Sequence, residues 1–179
     1  MKSNRLLLGL LAGFLVATYT GPSLATEKTL QVIMPWSGDG TIHSISTHRL
    51  LFMGEFEGIM YAENAEGELD AAFASCPATQ YIDTASKKTE AKGYCNIAIT
   101  GEDTVFAEWT CEGKVGACKG SFILTGGTGK FEGVTGSSEF TVRSVLSTVV
   151  AGMSSGSVVR AASGLAILPK LTYTLPSGN

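Results

Sequence analysis

Residues 121–140 read Ser-Phe-Ile-Leu-Thr-Gly-Gly-Thr-Gly-Lys-Phe-Glu-Gly-Val-Thr-Gly-Ser-Ser-Glu-Phe. An apolar run at 122–124 stops at Gly126, Gly127, Thr128 and Gly129, and a second alternating run starts at Phe131. Two strands joined by a turn that needs positive φ give this pattern, because glycine alone takes those angles without a steric cost. Gly126, Gly127, Gly129 and Gly133 are therefore turn residues.

The rest of the chain repeats the theme. Short apolar or alternating runs fall at 30–34, 41–53, 56–61, 94–100, 105–111, 119–124 and 131–142. Pro35 with the 37–40 segment, the 64–67 segment and the 101–103 segment supply the turns between several of them. Leu69, Ala71 and Phe73 alternate with smaller or polar residues. Residues 77–92 are polar, with one short strand expected around Tyr81. Leu171, Tyr173 and Leu175 predict a final strand, with Pro169 marking an edge or a bulge. No helical period of useful length appears after residue 25. The expectation is an all-β fold: a single antiparallel sandwich or barrel of about eight strands.

Residues 1–25 read as a cleaved signal peptide. Lys2 and Arg5 precede a short apolar core, and Ser23, Leu24 and Ala25 offer small residues at a cleavage site. The apolar run is too short to span a bilayer. Residues 26–179 then form one domain, with a Ser/Gly/Ala-rich segment at 144–168, and the destination is the periplasm or the extracellular space. Removing Lys2 and Arg5 leaves 11 of the 13 basic residues against 16 acidic ones, a net charge of −5. An acidic chain without a basic cluster is a poor partner for nucleic acid or anionic membrane. Residues 145–159 are apolar but broken by Gly152, Gly156 and five hydroxyl residues, so no integral membrane span is expected.

The four cysteines, Cys76, Cys95, Cys111 and Cys118, imply two disulfides in an exported chain, with three connectivities open. Cys111 and Cys118 flank a hairpin-sized loop, which favours 111–118 and leaves 76–95. No C-x-x-C spacing supports zinc, so no metal is expected.

The stretch 123–140 resembles the turn and strands of the allene oxide cyclase and dirigent proteins. Those families carry a strand ending in Gly-Gly-Thr/Ala-Gly, then an aromatic residue and a glycine, as Gly126, Gly127, Thr128, Gly129, Phe131 and Gly133 do here. The resemblance implies an eight-stranded antiparallel barrel of the calycin type, whose lumen holds a small apolar molecule without metal or organic cofactor. None of the families' chemistry-bearing residues lies in the matched block.

Other motifs dissolve on inspection. Gly129 and Lys130 miss phosphate-loop register, since Leu124 stands where the first glycine belongs and Phe131 replaces the magnesium-binding Ser or Thr. The dinucleotide pattern puts Glu132 at its third glycine. Residues 152–156 match the G-x-S-x-G elbow by letter, but no Asp, Glu or His follows Gly156. His43 and His48, five apart, fall on opposite faces of a strand, so one of them at most serves a lumen site.

The candidate catalytic residues are Glu57 and His43, each of which could exchange a proton with a ligand if its face looked inward. The face carrying Phe56, Gly58 and Met60 is the more apolar, which argues for Glu55 and Glu57 outside. Tyr61, Phe73 and Trp109 are the candidate ligand-lining residues, with core filling as the alternative. The function read from the chain is binding of a small apolar or aromatic molecule in a cofactor-free lumen. The alternatives are an isomerase, cyclase or lyase acting on such a ligand, and a structural or accessory subunit with a solid barrel. A protein partner or a second copy of the chain stays open.

Overall fold

A computed structural model describes residues 27–99, 101–144 and 158–176. Eight strands follow one another: β1 (Glu27–Ser46), β2 (Arg49–Asn64), β3 (Leu69–Asp83), β4 (Lys88–Ala98), β5 (Thr104–Lys114), β6 (Ala117–Gly127), β7 (Thr135–Ser144) and β8 (Val158–Thr174). Each pairs antiparallel with its neighbours, and β8 pairs with β1 to close the barrel. Closure removes the open edges that would otherwise template aggregation. Among the described residues, no helix is long and apolar enough to cross a membrane.

Strict alternation decides which side chains enter the lumen. On β1 these are Val32, Met34, Trp36 and Ile42, and on β2 Leu50, Phe52, Phe56 and Met60. The opposite residues of those strands, such as Gln31, Ile33, Ser37 and His43, stand outside. Cys76 bonds Cys95, and Cys111 bonds Cys118. The first three are almost fully buried and Cys118 half so, which places both bridges on the inner surface.

Several expected breaks are absent. β1 runs unbroken through Pro35 and the 37–40 segment, which form no turn, and the true turn falls at Thr47 and His48, inside the expected 41–53 run. Pro35 fits because it faces outward and the pairing of β1 with β2 skips residues 34 and 35, where the proline has no N–H to give; Gly38 and Gly40 fit because aromatic rings occupy the space their side chains would fill. A Cβ on Gly38 would lie 2.6 Å from Phe56 Cδ1, and one on Gly40 would lie 2.5 Å from Phe52 Cε2. The polar 77–92 stretch is the end of β3 and the start of β4, joined by a turn at 84–87. Polarity misleads there because half of each strand faces water.

The glycine block joins β6 to β7 through a short 3-10 helix, Gly129–Phe131, rather than a tight two-residue turn, so β7 begins at Thr135 and not at Phe131. Gly129 (φ +55°) and Gly133 (φ +71°) take left-handed angles. At Gly129 the Asp103 carboxylate occupies the place of a side chain as well. Thr128 N–H donates to the Thr104 carbonyl at 2.8 Å, and Thr104 N–H donates to Thr128 Oγ1 at 2.9 Å, tying this connection to the start of β5. Pro169 marks a bulge: Leu30 pairs with Leu171 but Val32 with Leu168, leaving one extra residue on β8.

Candidate functional site

The two ends of the lumen differ. The lower end receives the β2–β3, β4–β5 and β6–β7 connections. There Val134, Leu124, Ile97 and Leu171 are buried together, and Phe131, Ile99 and Leu175 pack against them. The lumen is solid at that level.

Toward the upper end a cavity of about 130 Å³ opens between the walls. Six aromatic rings line it. Trp36 meets Phe56 edge-on at 5.1 Å, Phe56 lies 5.4 Å from Phe52 and 6.1 Å from Trp109, and Trp109 meets Phe140 at 6.0 Å. Phe122 completes the series 6.4 Å from Phe140. These separations lie in the range of favourable edge-to-face and tilted pairs. Glycines set opposite the rings give them room: a Cβ on Gly164 would lie 2.5 Å from Trp36 Cζ2, and one on Gly93 would lie 2.9 Å from Trp109 Cε2.

The lining is otherwise aliphatic, with sulfur from the disulfides. Three polar side chains reach it, Gln80, Thr89 and Ser144, and none is charged. Gln80 Nε2 donates to Thr89 Oγ1 at 2.6 Å, and Thr89 Oγ1 donates to the Tyr81 carbonyl at 3.0 Å. Thr89 is only 4 % exposed. Among the described residues, no group of three or more His, Cys, Asp and Glu side chains could hold a metal ion, and no cysteine is free.

Of the residues singled out in the sequence, Trp109 lies on this cavity wall. Tyr61 and Phe73 do not. They stand on the outer face, 41 % and 44 % exposed, where Tyr61 pairs across strands with Ile33, and Phe73 with Ile59. The reason is parity. Cys76 must face the lumen to reach Cys95, so Ala74, Ala78 and Gln80 face inward with it and Phe73 is turned out. Glu57 and His43 are likewise exposed on the outer face and cannot touch a lumen ligand. Glu55 accepts a hydrogen bond from Ser75 Oγ on that outer side. The G-x-S-x-G segment at 152–156 and the expected signal peptide at 1–25 lie outside the described residues.

Sequence reading missed Trp36, Phe52, Phe140 and Gln80 as lining residues. The signal was present for the first two. Val32, Met34, Trp36 and Ile42 keep one period-two register across Pro35, as do Phe52, Phe56 and Met60 across Gly54 and Gly58. Gln80 had no signal, because an isolated glutamine in a polar stretch looks like surface.

The chain matches no protein-family model and no curated protein.

Proposed function

We propose that this protein is an exported, cofactor-free barrel of the allene oxide cyclase and dirigent type that binds a small apolar or aromatic molecule in its lumen. The observation that carries the reading is the contrast within the barrel: a solid lower end and, above it, an uncharged cavity walled by six aromatic rings. Filling the whole lumen would have been the more stable arrangement, since each void forfeits contacts. Apolar cavities of about 150 Å³ stay dry and take up single-ring hydrocarbons. Two disulfides on the inner wall suit an oxidising compartment and therefore export.

The enzymatic alternative loses its proposed acid and base, because Glu57 and His43 face water. With no charged group on the cavity wall, holding a ligand is favoured over proton transfer to it.

Bromobenzene tests this directly. The chain has two tryptophans, and both Trp36 and Trp109 line the cavity. Bound bromobenzene should quench their fluorescence along a saturating curve. Quenching that rises in proportion to concentration, without a plateau, would refute lumen binding.

A further inference from the structure

Folding sorts the charges of this chain toward opposite ends of the barrel. Lys87 and Lys88 are the sole adjacent basic residues in the sequence, but pairing collects others beside them. Along the upper rim Arg49 pairs with Asp83, Asp83 with Lys88, Lys88 with Lys114, Lys114 with Ala117 and Ala117 with Arg143. With Lys87 in the adjoining turn, the rim carries five cations, all exposed, against the single carboxylate of Asp83. The lower connections instead hold Glu66, Glu68, Glu102, Asp103 and Glu132 with Lys130.

Backbone bonds join the upper tips to one another. Thr84 N–H donates to the His48 carbonyl at 2.9 Å, Val115 N–H to the Lys87 carbonyl at 3.0 Å, and Ser144 N–H to the Gly116 carbonyl at 2.9 Å. The cations are therefore held on a fixed ring, around the end of the cavity that reaches Gly116 and Ser144. Two features of this ring oppose stability. Lys88 faces Lys114 directly, and like charges so placed repel. Lys87 takes φ +57° and is the sole described residue other than glycine with a positive φ, where glycine would fit without steric cost. Among the described residues, no hydrogen bond or ion pair engages the side chains of these three lysines. Strain retained at one spot points to a use.

We propose that this rim docks the barrel, cavity end first, on a bilayer containing anionic lipid. The cations supply the attraction. An apolar side chain stands at the same end: Ile45 is the extra residue of a bulge at the tip of β1, since Ser44 pairs with Leu50 and Ser46 with Arg49, and it is 47 % exposed. Cations beside an apolar tip suit the headgroup boundary of a membrane better than a water-soluble polyanion. Orientation follows from a change of sign along the wall. Glu90 faces Glu112 one outward row below the lysines, so a side-on approach meets repulsion. The acidic lower end does not oppose docking: the 11 residues of β4 span roughly 30 Å, and exposed charges more than about 10 Å apart are screened at ordinary salt. The expectation that an acidic chain is a poor partner for an anionic membrane took net charge alone. Docking requires no membrane span, and it stands whether or not the lumen holds a ligand.

Co-sedimentation of the oxidised protein with vesicles tests this. Vesicles of equal parts phosphatidylglycerol and phosphatidylcholine should carry the protein down, less so as salt rises, and pure phosphatidylcholine should not. Lys87→Gly, Lys88→Gln and Lys114→Gln should each weaken binding roughly fivefold, and the three together roughly a hundredfold. Lys87→Gly also relieves the backbone, so its loss of binding is not a loss of fold. Ile45→Ser should weaken binding as well, without changing the salt dependence. Lys130→Gln makes the same change of net charge at the lower end and should leave binding within about twofold. Equal losses for Lys130→Gln and Lys88→Gln, equal sedimentation with neutral vesicles, or no sedimentation at all would overturn the proposal. Heparin binding that is lost with the lysines, while vesicles fail to sediment the protein, would assign the rim to an acidic polymer and overturn it too. None of these outcomes bears on lumen binding, which bromobenzene reads separately.

Discussion

The lower and upper halves of the lumen are made from the same eight strands and the same alternation, yet one is filled and the other hollow. Below, medium-sized aliphatic residues from five different strands meet near the axis: Val32, Ile97, Val105, Leu124 and Leu171. Above, the inward positions alternate between extremes. Bulky rings at 36, 52, 56 and 109 face glycine or alanine at 38, 40, 54, 93, 162 and 164. Flat rings laid against bare backbone cannot interlock as branched chains do, so space remains between them. An eight-stranded barrel is wide enough for either outcome. The choice of side chains tips it.

That contrast can be broken by experiment. The largest effect belongs to the solid half. Leu171→Ala should destabilise the protein by about 2–5 kcal/mol, measured by urea unfolding, because close-packed neighbours cannot collapse into the void. Equal losses for Leu171→Ala and for a truncation beside the cavity, such as Ile42→Ala, would show that the halves are packed alike. Next comes the bridge between β3 and β4. Replacing Cys76 and Cys95 together by Ala should cost about 3 kcal/mol, read as a lowered urea midpoint under oxidising conditions.

Filling the hollow half should do the reverse. Ala91→Leu projects into the cavity beside Gln80, and should change stability by less than about 1.5 kcal/mol while abolishing saturable bromobenzene quenching. Retention of quenching would place the ligand elsewhere.

The smallest expected effects are set by pH. Burial, and after it the nearby charge of Asp70, raises the Tyr173 pKa above its usual value of 10.0. Folding therefore disfavours the phenolate: stability is complete below pH 10 and declines as pH climbs through the raised pKa. Tyr173→Phe should flatten that alkaline decline in urea titrations. At the upper end, Asp83 Oδ1 accepts from the Ser86 and Ala85 N–H groups at 2.8 and 2.9 Å, and its pKa is lowered chiefly by the Ser86 bond. The turn's contribution is present above pH 3.8 and fades as acid protonates the carboxylate. Asp83→Asn should remove this small acid dependence, detected as a flatter stability profile below pH 4.

Much of the barrel was legible in one dimension. Gly129 and Gly133, the 64–67 and 101–103 turns and the β5 alternation all follow from local backbone preference, whereas Gly126 and Gly127, expected in the turn, end β6. So did the pairing of Cys111 with Cys118, whose loop is short enough to suggest a hairpin. The misplaced breaks share one cause. Pro35 and the glycines at 38 and 40 are turn formers by propensity, but here the proline stands on an outer face and the glycines lie beneath rings contributed by β2. No inspection of residues 35–40 alone reveals Phe52 and Phe56.

The cavity shows the same division. Trp109 was identifiable because it shares a face with Val105, Ala107 and Cys111. Phe73 shares a face with Leu69 and Ala71 by the same logic and is nevertheless outside, since the bond from Cys76 to Cys95 sets the parity of β3 against the bulkier apolar side chains at its start.

Composition and local pattern were thus enough to specify strands, several turns, the disulfide count and a fold of about eight strands, because these depend on neighbours within a few residues. Which face of each strand looks inward, where the interior is solid, and how Gln80 comes to stand beside six rings were decided by the closed sheet. Those properties arise between strands far apart in the chain, and they exist once β8 has met β1.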